Sequence, residues 1–232
     1  MNIKILQLID GAKQATGLTV VIDVFRAFSV EAFLANAGAE RIYPVGDKQI
    51  AYDLKEKDPN LLLVGERNGE ILPGFDFGNS PTQILNSGID ISGKTIIHTT
   101  SAGTQGIANA KNATEILTGS LVNAKAIAKY IKKSKAEDIS LVCMGLRAER
   151  PIEEDTLCAN YIKALLEDRT FELESEIENL KKTSGAKFFD KELQDIFPEG
   201  DFHFCTQVDI FNFVLRLVRS DNGLDYVEKI NI

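Results

Sequence analysis

Two rhythms of apolar residues alternate along this chain. Short runs rich in β-branched residues, TVVID at 19–23, LLLVG at 61–65, TIIHTT at 95–100 and ISLVCM at 139–144, predict buried strands. Weaker strands are predicted at 41–45 and 114–118. Between them the apolar positions spread to i, i+3, i+4 and i+7. Val30, Phe33, Leu34 and Ala37 form one such stripe, which Gly38 can stop. Ala124, Ile127, Ala128 and Ile131 form a second, and Cys158, Tyr161, Ile162 and Leu165 a third. Less regular helices are expected at 47–56 and 104–111. Strands alternating with helices imply βαβ crossovers, so the fold class is α/β: a layered, mostly parallel sheet with helices on both faces.

Beyond Asp168 the pattern loosens, and the expectation is a single domain over 1–232 with its core at about 19–167 and a helical or irregular segment at about 168–232. Leu173, Ile177 and Leu180 make a narrow stripe beside six acids between Glu167 and Glu178, which reads as a surface helix with a solvated acidic face. A short helical piece is expected at 187–200. The apolar run FNFVLRLV at 211–218 either packs on the domain's own sheet or forms a subunit contact in a homo-oligomer; the first reading is favoured.

Composition narrows the function classes. Thirty-four acids against 26 bases give a formal charge of −8 over 232 residues, the opposite of the clustered basic face a nucleic-acid binder needs. No apolar run reaches the roughly 18–20 residues of a membrane span, and MNIKILQLIDGAKQATG lacks the apolar stretch and cleavage site of a secretion signal. Three scattered cysteines build neither a disulfide framework nor a C-x-x-C site and fit a reduced cytoplasm.

In an open parallel sheet, ligands bind beyond the carboxyl ends of the strands. There the sequence places Asp23 and Arg26, Glu66 and Arg67, the Thr100–Ser101–Ala102–Gly103–Thr104 turn, and GLRAERPIEEDT with Arg147, Glu154 and Asp155. Asp76, in the long loop after Arg67, joins the set. Mg²⁺ takes one or two carboxylates plus waters and phosphate oxygens. Arginines add bidentate donors to phosphate, and hydroxyls with glycine N–H groups at a helix start add more. Such a set suits metal-assisted phosphoryl chemistry. The bland alternative is that Asp23, Glu154 and Asp155 only favour helix N-termini.

Other motifs carry less. GIDISGKT at 88–95 matches the P-loop letters, but its glycines precede a strand instead of opening a helix, so it reads as a turn. His98, inside an apolar run, reads as a satisfied core histidine, and Cys158, on a buried stripe, as packing. Phe25 stands where a D-x-D phosphatase motif would need a second aspartate.

VVIDVFRAFSV (20–30), VGERNGEILPGFDFGNSP (64–81), TTSAGTQGI (99–107), TGSLVNAKAIA (118–128) and IEEDTLCANYI (152–162) together resemble the 2-phosphosulfolactate phosphatase family over about 19–166. The resemblance implies an α/β layered fold and a Mg²⁺-dependent phosphatase. Its substrate would be (2R)-2-phospho-3-sulfolactate, cleaved to 3-sulfolactate and phosphate on the way to coenzyme M. The matching acids are Asp23, Glu66, Asp76, Glu154 and Asp155, and the matching arginines Arg26 and Arg67. The chain departs from the family's TTNGTR, with Ala102 for asparagine and Gln105 for arginine; its RAERP loop is one residue longer and carries Arg147 and Arg150; the family's C-terminal Val-Pro is absent.

The expectation is therefore a cytoplasmic enzyme whose partner is a small anionic phosphoester. Asp23, Arg26 and Arg67 are the catalytic candidates, with Asp23, Glu154 and Asp155 chiefly on Mg²⁺ and Glu66 and Asp76 as further ligands or groups that orient them. Arg26, Arg67, Thr100, Ser101, Gly103, Thr104 and Arg147 would hold phosphate and a second anionic group. A non-catalytic phosphate-binding module, a phosphatase for another phosphorylated hydroxy acid, and a metal-dependent hydrolase of a non-phosphate ester are the alternatives.

Overall fold

The computed structural model of the chain describes residues 1–221 and 223–232. One ten-stranded sheet runs through it. In chain order the strands are β1 (Asn2–Gln7), β2 (Gly17–Ile22), β3 (Arg41–Pro44), β4 (Leu62–Arg67), β5 (Glu70–Ile71), β6 (Thr95–Thr99), β7 (Ala113–Gly119), β8 (Asp138–Cys143), β9 (Phe213–Val218) and β10 (Tyr226–Asn231). The helices are α1 (Leu8–Gln14), α2 (Ala27–Asn36), α3 (Lys48–Lys57), α4 (Pro81–Asn86), α5 (Gly103–Asn109), α6 (Ala124–Ser134), α7 (Glu153–Leu166), α8 (Leu173–Leu180) and α9 (Glu199–Cys205), with short 3-10 turns between some of them.

The spatial order is β1-β8-β2-β7-β9-β10-β3-β6-β4-β5. β1, β8, β2 and β7 are mutually parallel, as are β3, β6 and β4. Between the blocks stand β9 and β10, joined antiparallel to β7, to each other and to β3. Three antiparallel steps reverse the direction, so the second block runs opposite to the first. Each step also twists the sheet by roughly 20–25°, which over the five steps from β2 to β6 accumulates to on the order of 100°. The two blocks thereby turn toward each other. Gly106 on α5, which follows β6, shows the result: a Cβ there would lie 2.5 Å from Val21 of β2 and from Met144.

Helix α2 fills the concave side. Every residue from Ala27 to Ala35 is buried, Ser29 and Glu31 included, so this helix is enclosed on all faces rather than laid on one surface. Its Val30, Phe33 and Leu34 join Val21, Ile42, Ile96, Ile107 and Phe213 in the largest core cluster. A second core, with Ile22, Leu117, Ile127, Leu141, Cys158 and Ile162, lies between the first block and α6 and α7.

The predicted strands and helices between 19 and 166 are present, with ends shifted by a few residues. The two termini differ from expectation. Residues 2–7, read only for a secretion signal, form edge strand β1, and the segment 168–232 supplies β9 and β10 to the middle of the sheet as well as helical pieces. FNFVLRLV therefore packs in the chain's own sheet. GIDISGKT is a mostly exposed turn into β6 in which Ile91 is buried, with Gly88 and Gly93 at positive φ. No helix among the described residues is long and apolar enough to cross a membrane.

Candidate active site

The ends of β2, β4, β6 and β8 open onto one cavity of about 410 Å³. Asp23, Arg26, Glu66, Ser101, Ala102, Arg147 and Glu154 line it, so residues separated by more than a hundred positions meet as the strand-end argument predicts.

Asp23, one residue past β2, is buried. Its Oδ1 accepts the Ala27 N–H of α2 at 3.2 Å. Burial pushes its carboxyl up to about 6, helped by the charge of Glu66 and opposed by the N–H groups of Ala27 and Gly103 and by His98. Gly103 is required to be small. A Cβ there would stand 2.8 Å from the Phe28 ring and 3.1 Å from Asp23 Oδ2, so the backbone comes directly against the carboxylate.

Glu154, in the first turn of α7, is fully buried, and neither of its carboxylate oxygens has a hydrogen-bond partner. Burial pushes this group up to about 7, with Asp23 adding to the rise and Ser184 and Lys187 opposing it. Native proteins leave few buried charges unsatisfied, because each costs several kcal/mol. Two buried carboxylates thus face one cavity, and neither oxygen of Glu154 has a hydrogen-bond partner.

The neighbouring acids are spent on the framework. Asp155 receives the Val24 N–H on Oδ1 and the Gly145 N–H on Oδ2, both at 2.8 Å, and ties the loop after β2 to the loop after β8. Burial, then the charges of Asp23 and Glu154, hold it well above the usual carboxylate range. Glu66 accepts Ser101 N–H at 2.7 Å, Ser101 Oγ at 3.0 Å and Gly69 N–H at 2.7 Å, which joins two turns of the wall. Asp76 lies outside the cavity, where it accepts the Leu63 N–H at 2.8 Å and pairs with Lys55 at 3.2 Å. Among the described residues no group of three or more His, Cys, Asp or Glu side chains is arranged to hold a metal ion. The structure does not gather the five acids around one point: Asp76 is elsewhere, and Asp155 and Glu66 already hold backbone N–H groups.

The arginines are also redistributed. Arg67 follows Glu66 on the same strand, and successive strand side chains point to opposite faces. Its guanidinium turns away from the cavity to the carbonyls of Glu66 and Gly46 and to Thr99 Oγ1. Gln105 turns the same way, with its amide beside Gly46. Arg26 lines the cavity, but its terminal nitrogens bind Asp201 at 2.6 Å, the Ile196 carbonyl at 2.9 Å and the Gly69 carbonyl at 3.1 Å. It is a buried clamp on the C-terminal segment, stacked near Phe197. Thr100 and Thr104 are buried and bond to each other, with Thr104 N–H donating to Thr100 Oγ1 at 3.1 Å at the start of α5.

Among the described residues, three further cations line the cavity without a hydrogen bond or ion pair. Arg147 and Arg150 are exposed at its rim, and among the described residues neither side chain makes an ion pair or hydrogen bond. Gly145 at φ 67°, Arg147 at 56° and Ala148 at 60° give their loop its tight course, and a Cβ on Gly145 would meet the Arg150 carbonyl at 2.3 Å. The third is Lys187, which the sequence reading missed. It lies between the rings of Phe188 and Phe197, at 5.3 and 5.0 Å from their centroids. Burial pulls its ammonium below the ordinary lysine value, while Glu154, Asp23 and Asp155 resist that pull. Lys187 sits in 3-10 structure with no periodicity; the aromatic cluster Phe188, Phe189, Phe197 and Phe202 was the only local sign of a packed lobe.

Buried carboxylates and cations lining one cavity at strand carboxyl ends make a candidate site on an α/β scaffold. Comparison with known proteins narrows this. The family model described as 2-phosphosulpholactate phosphatase matches residues 3–220. A protein of Bacillus subtilis named probable 2-phosphosulfolactate phosphatase is 33% identical over 218 residues, covering 93% of this chain and 92% of that protein. Proteins with the same name from Thermotoga petrophila and Caldicellulosiruptor saccharolyticus are 37% identical over 210 residues (86% of this chain, 88% of that protein) and 42% over 146 (61% and 59%). The chain belongs to the 2-phosphosulpholactate phosphatase family.

Proposed function

We propose that the protein hydrolyses (2R)-2-phospho-3-sulfolactate to 3-sulfolactate and phosphate, with Mg²⁺, in the cytoplasm. The family and the names of its relatives support the phosphatase activity and the substrate. The observation that supports the metal is the unpartnered Glu154 carboxylate beside Asp23 in an otherwise cation-rimmed cavity. Two carboxylates suffice for Mg²⁺, which completes its shell with water and substrate phosphate oxygens. The residues present therefore fit a lean site on Asp23 and Glu154, and not the broader one that would add Glu66, Asp76 and Asp155. Bound there, the ion would neutralise charge on the phosphoryl oxygens.

The chain's own groups do the rest. Arg147 and Arg150 attract an anion to an acidic protein and hold its second anionic group at the rim. Lys187, deeper and partly desolvated, faces the phosphate. The Ser101 N–H and Oγ are consumed by Glu66, so this turn shapes the wall instead of gripping the ligand. Asp155 and Arg26 keep the loops that carry Asp23, Arg147 and Lys187 in register.

The test is phosphate release by purified protein from 2-phosphosulfolactate and 2-phospholactate, with Mg²⁺ and with a chelator. Release that prefers the sulfonate substrate and stops with chelator is expected. Undiminished release with chelator would remove the metal. Ligand binding without release would make the protein a binding module, the reading that Ala102 and Gln105 suggest.

A further inference from the structure

A line of buried polar groups crosses the core and ends in the cavity. Thr118 on β7 donates its hydroxyl to Glu31 Oε2 at 2.9 Å; Glu31 Oε1 lies 3.0 Å from His98 Nδ1; His98 Nε2 lies 2.9 Å from Asn79 Oδ1. Thr118, Glu31 and His98 are wholly inaccessible, and Asn79 is 3% exposed. The line links the first parallel block, the enclosed helix α2, the second block and the cavity wall. The phosphatase reading uses none of it, and core packing alone would be served by apolar residues at lower desolvation cost.

The geometry points to a role for its last member: Thr118, Glu31 and His98 fix the Asn79 side chain so that its amide nitrogen faces the cavity and donates to an oxygen of the bound anion. This rests on the site taking an anionic ligand, as proposed above. The argument turns on which atoms carry hydrogen. An amide oxygen is an acceptor only. His98 Nε2 stands 2.9 Å from the Asn79 oxygen, so Nε2 carries a hydrogen and donates it. That fixes the Asn79 oxygen on the His98 side and leaves the NH₂ group, which has no partner among the described residues, toward the cavity. With a neutral ring protonated only on Nδ1, Nε2 would need a donor. The amide would then turn over and present its oxygen to the anion, a repulsive contact. Asn79 is a substrate-contacting residue; Glu31 and His98 are positioning residues.

The chain has two histidines, which makes the proton count directly readable. A long-range ¹H–¹⁵N spectrum of the wild-type protein at pH 7, with His203 assigned through His203→Gln, should show His98 protonated on Nε2. The Asn79 side-chain NH₂ resonance should shift saturably with inorganic phosphate. A bare His98 Nε2, or an Asn79 NH₂ that phosphate leaves unmoved, overturns the proposal. Neither readout needs turnover, so both remain decisive if the substrate assignment fails. In kinetics, Asn79→Ala should raise KM by roughly 10-fold or more, the range for a hydrogen bond to a charged group. His98→Phe, which removes the partner of the Asn79 oxygen, should do the same, and the double variant should be no worse than Asn79→Ala alone. Additive losses would mean that His98 acts only through stability.

Discussion

Replacing Glu154 with glutamine should stabilise the metal-free protein while destroying its activity. Glu154 is wholly buried, both carboxylate oxygens lack partners, and burial raises its pKa from 4.5 to about 7. At pH 8 the group is ionised in both the folded and the unfolded chain, so the folded state carries a penalty that corresponds to on the order of 3 kcal/mol. Part of it is shared with Asp23, whose charge is among its causes. The sign follows from proton binding. Between about pH 4.5 and 7 the native state holds the proton that the unfolded state has lost, so stability falls as pH rises and flattens above 7. Glutamine cannot ionise, and the unpartnered Ser184 hydroxyl is near enough to serve its amide. Urea denaturation at pH 8 without metal should therefore show Glu154→Gln more stable by about 2–3 kcal/mol, or roughly 5–10 °C in Tm for a domain of this size. Near pH 4.5 the gain should vanish, because the wild-type carboxyl is then largely protonated in the native state. A gain of equal size at both pH values, or a loss at pH 8, would refute the picture of a carboxylate that burial penalises when ionised. Gaining stability by losing a functional charge is the usual trade at such sites.

Other substitutions separate framework from chemistry. Arg26→Met breaks a buried pair that Asp201 makes at 2.6 Å, and should cost about 3–5 kcal/mol in chemical denaturation, because Asp201 is left charged and enclosed. Arg147→Ala with Arg150→Ala should raise KM for the sulfonate substrate by roughly 10-fold or more, with a smaller effect on 2-phospholactate, since these are free rim cations. Gly103→Ala should lower activity steeply and cost about 1–3 kcal/mol, from the 2.8 Å approach to Phe28. Asp76→Asn should leave turnover intact, since Asp76 bonds Leu63 and Lys55 away from the cavity.

The site was half legible in the sequence, for reasons that particular residues make plain. Asp23, Glu66 and Glu154 reach the cavity because each directly follows or closes a strand, or opens the helix after one, and strand ends can be found from apolar runs. Which acid faces a ligand and which faces backbone is a matter of one residue. Asp155 sits next to Glu154 but is taken by two N–H groups, and Arg67 sits next to Glu66 but points to the opposite face. No residue count distinguishes these. The reversal of the second parallel block was hidden too, because it depends on β9 and β10 entering the middle of the sheet from the far end of the chain. β1 did carry a signal, Ile3 and Ile5 alternating with Asn2 and Lys4. Lys187 carried none: it belongs to a lobe held by aromatic contacts and the Arg26–Asp201 pair, with no strand or helix period to announce it. His98 was read as a satisfied core histidine, and both its nitrogens do have partners.

The most direct test of the central claim, that Asp23 and Glu154 face one cation, is titration of the purified protein with Mn²⁺ as a paramagnetic substitute for Mg²⁺. Water-proton relaxation would be followed for wild type, Asp23→Asn, Glu154→Gln and Asp76→Asn. One site per chain that survives in Asp76→Asn and is lost in the other two variants is the predicted result. Binding that persists undiminished in both Asp23→Asn and Glu154→Gln would contradict it.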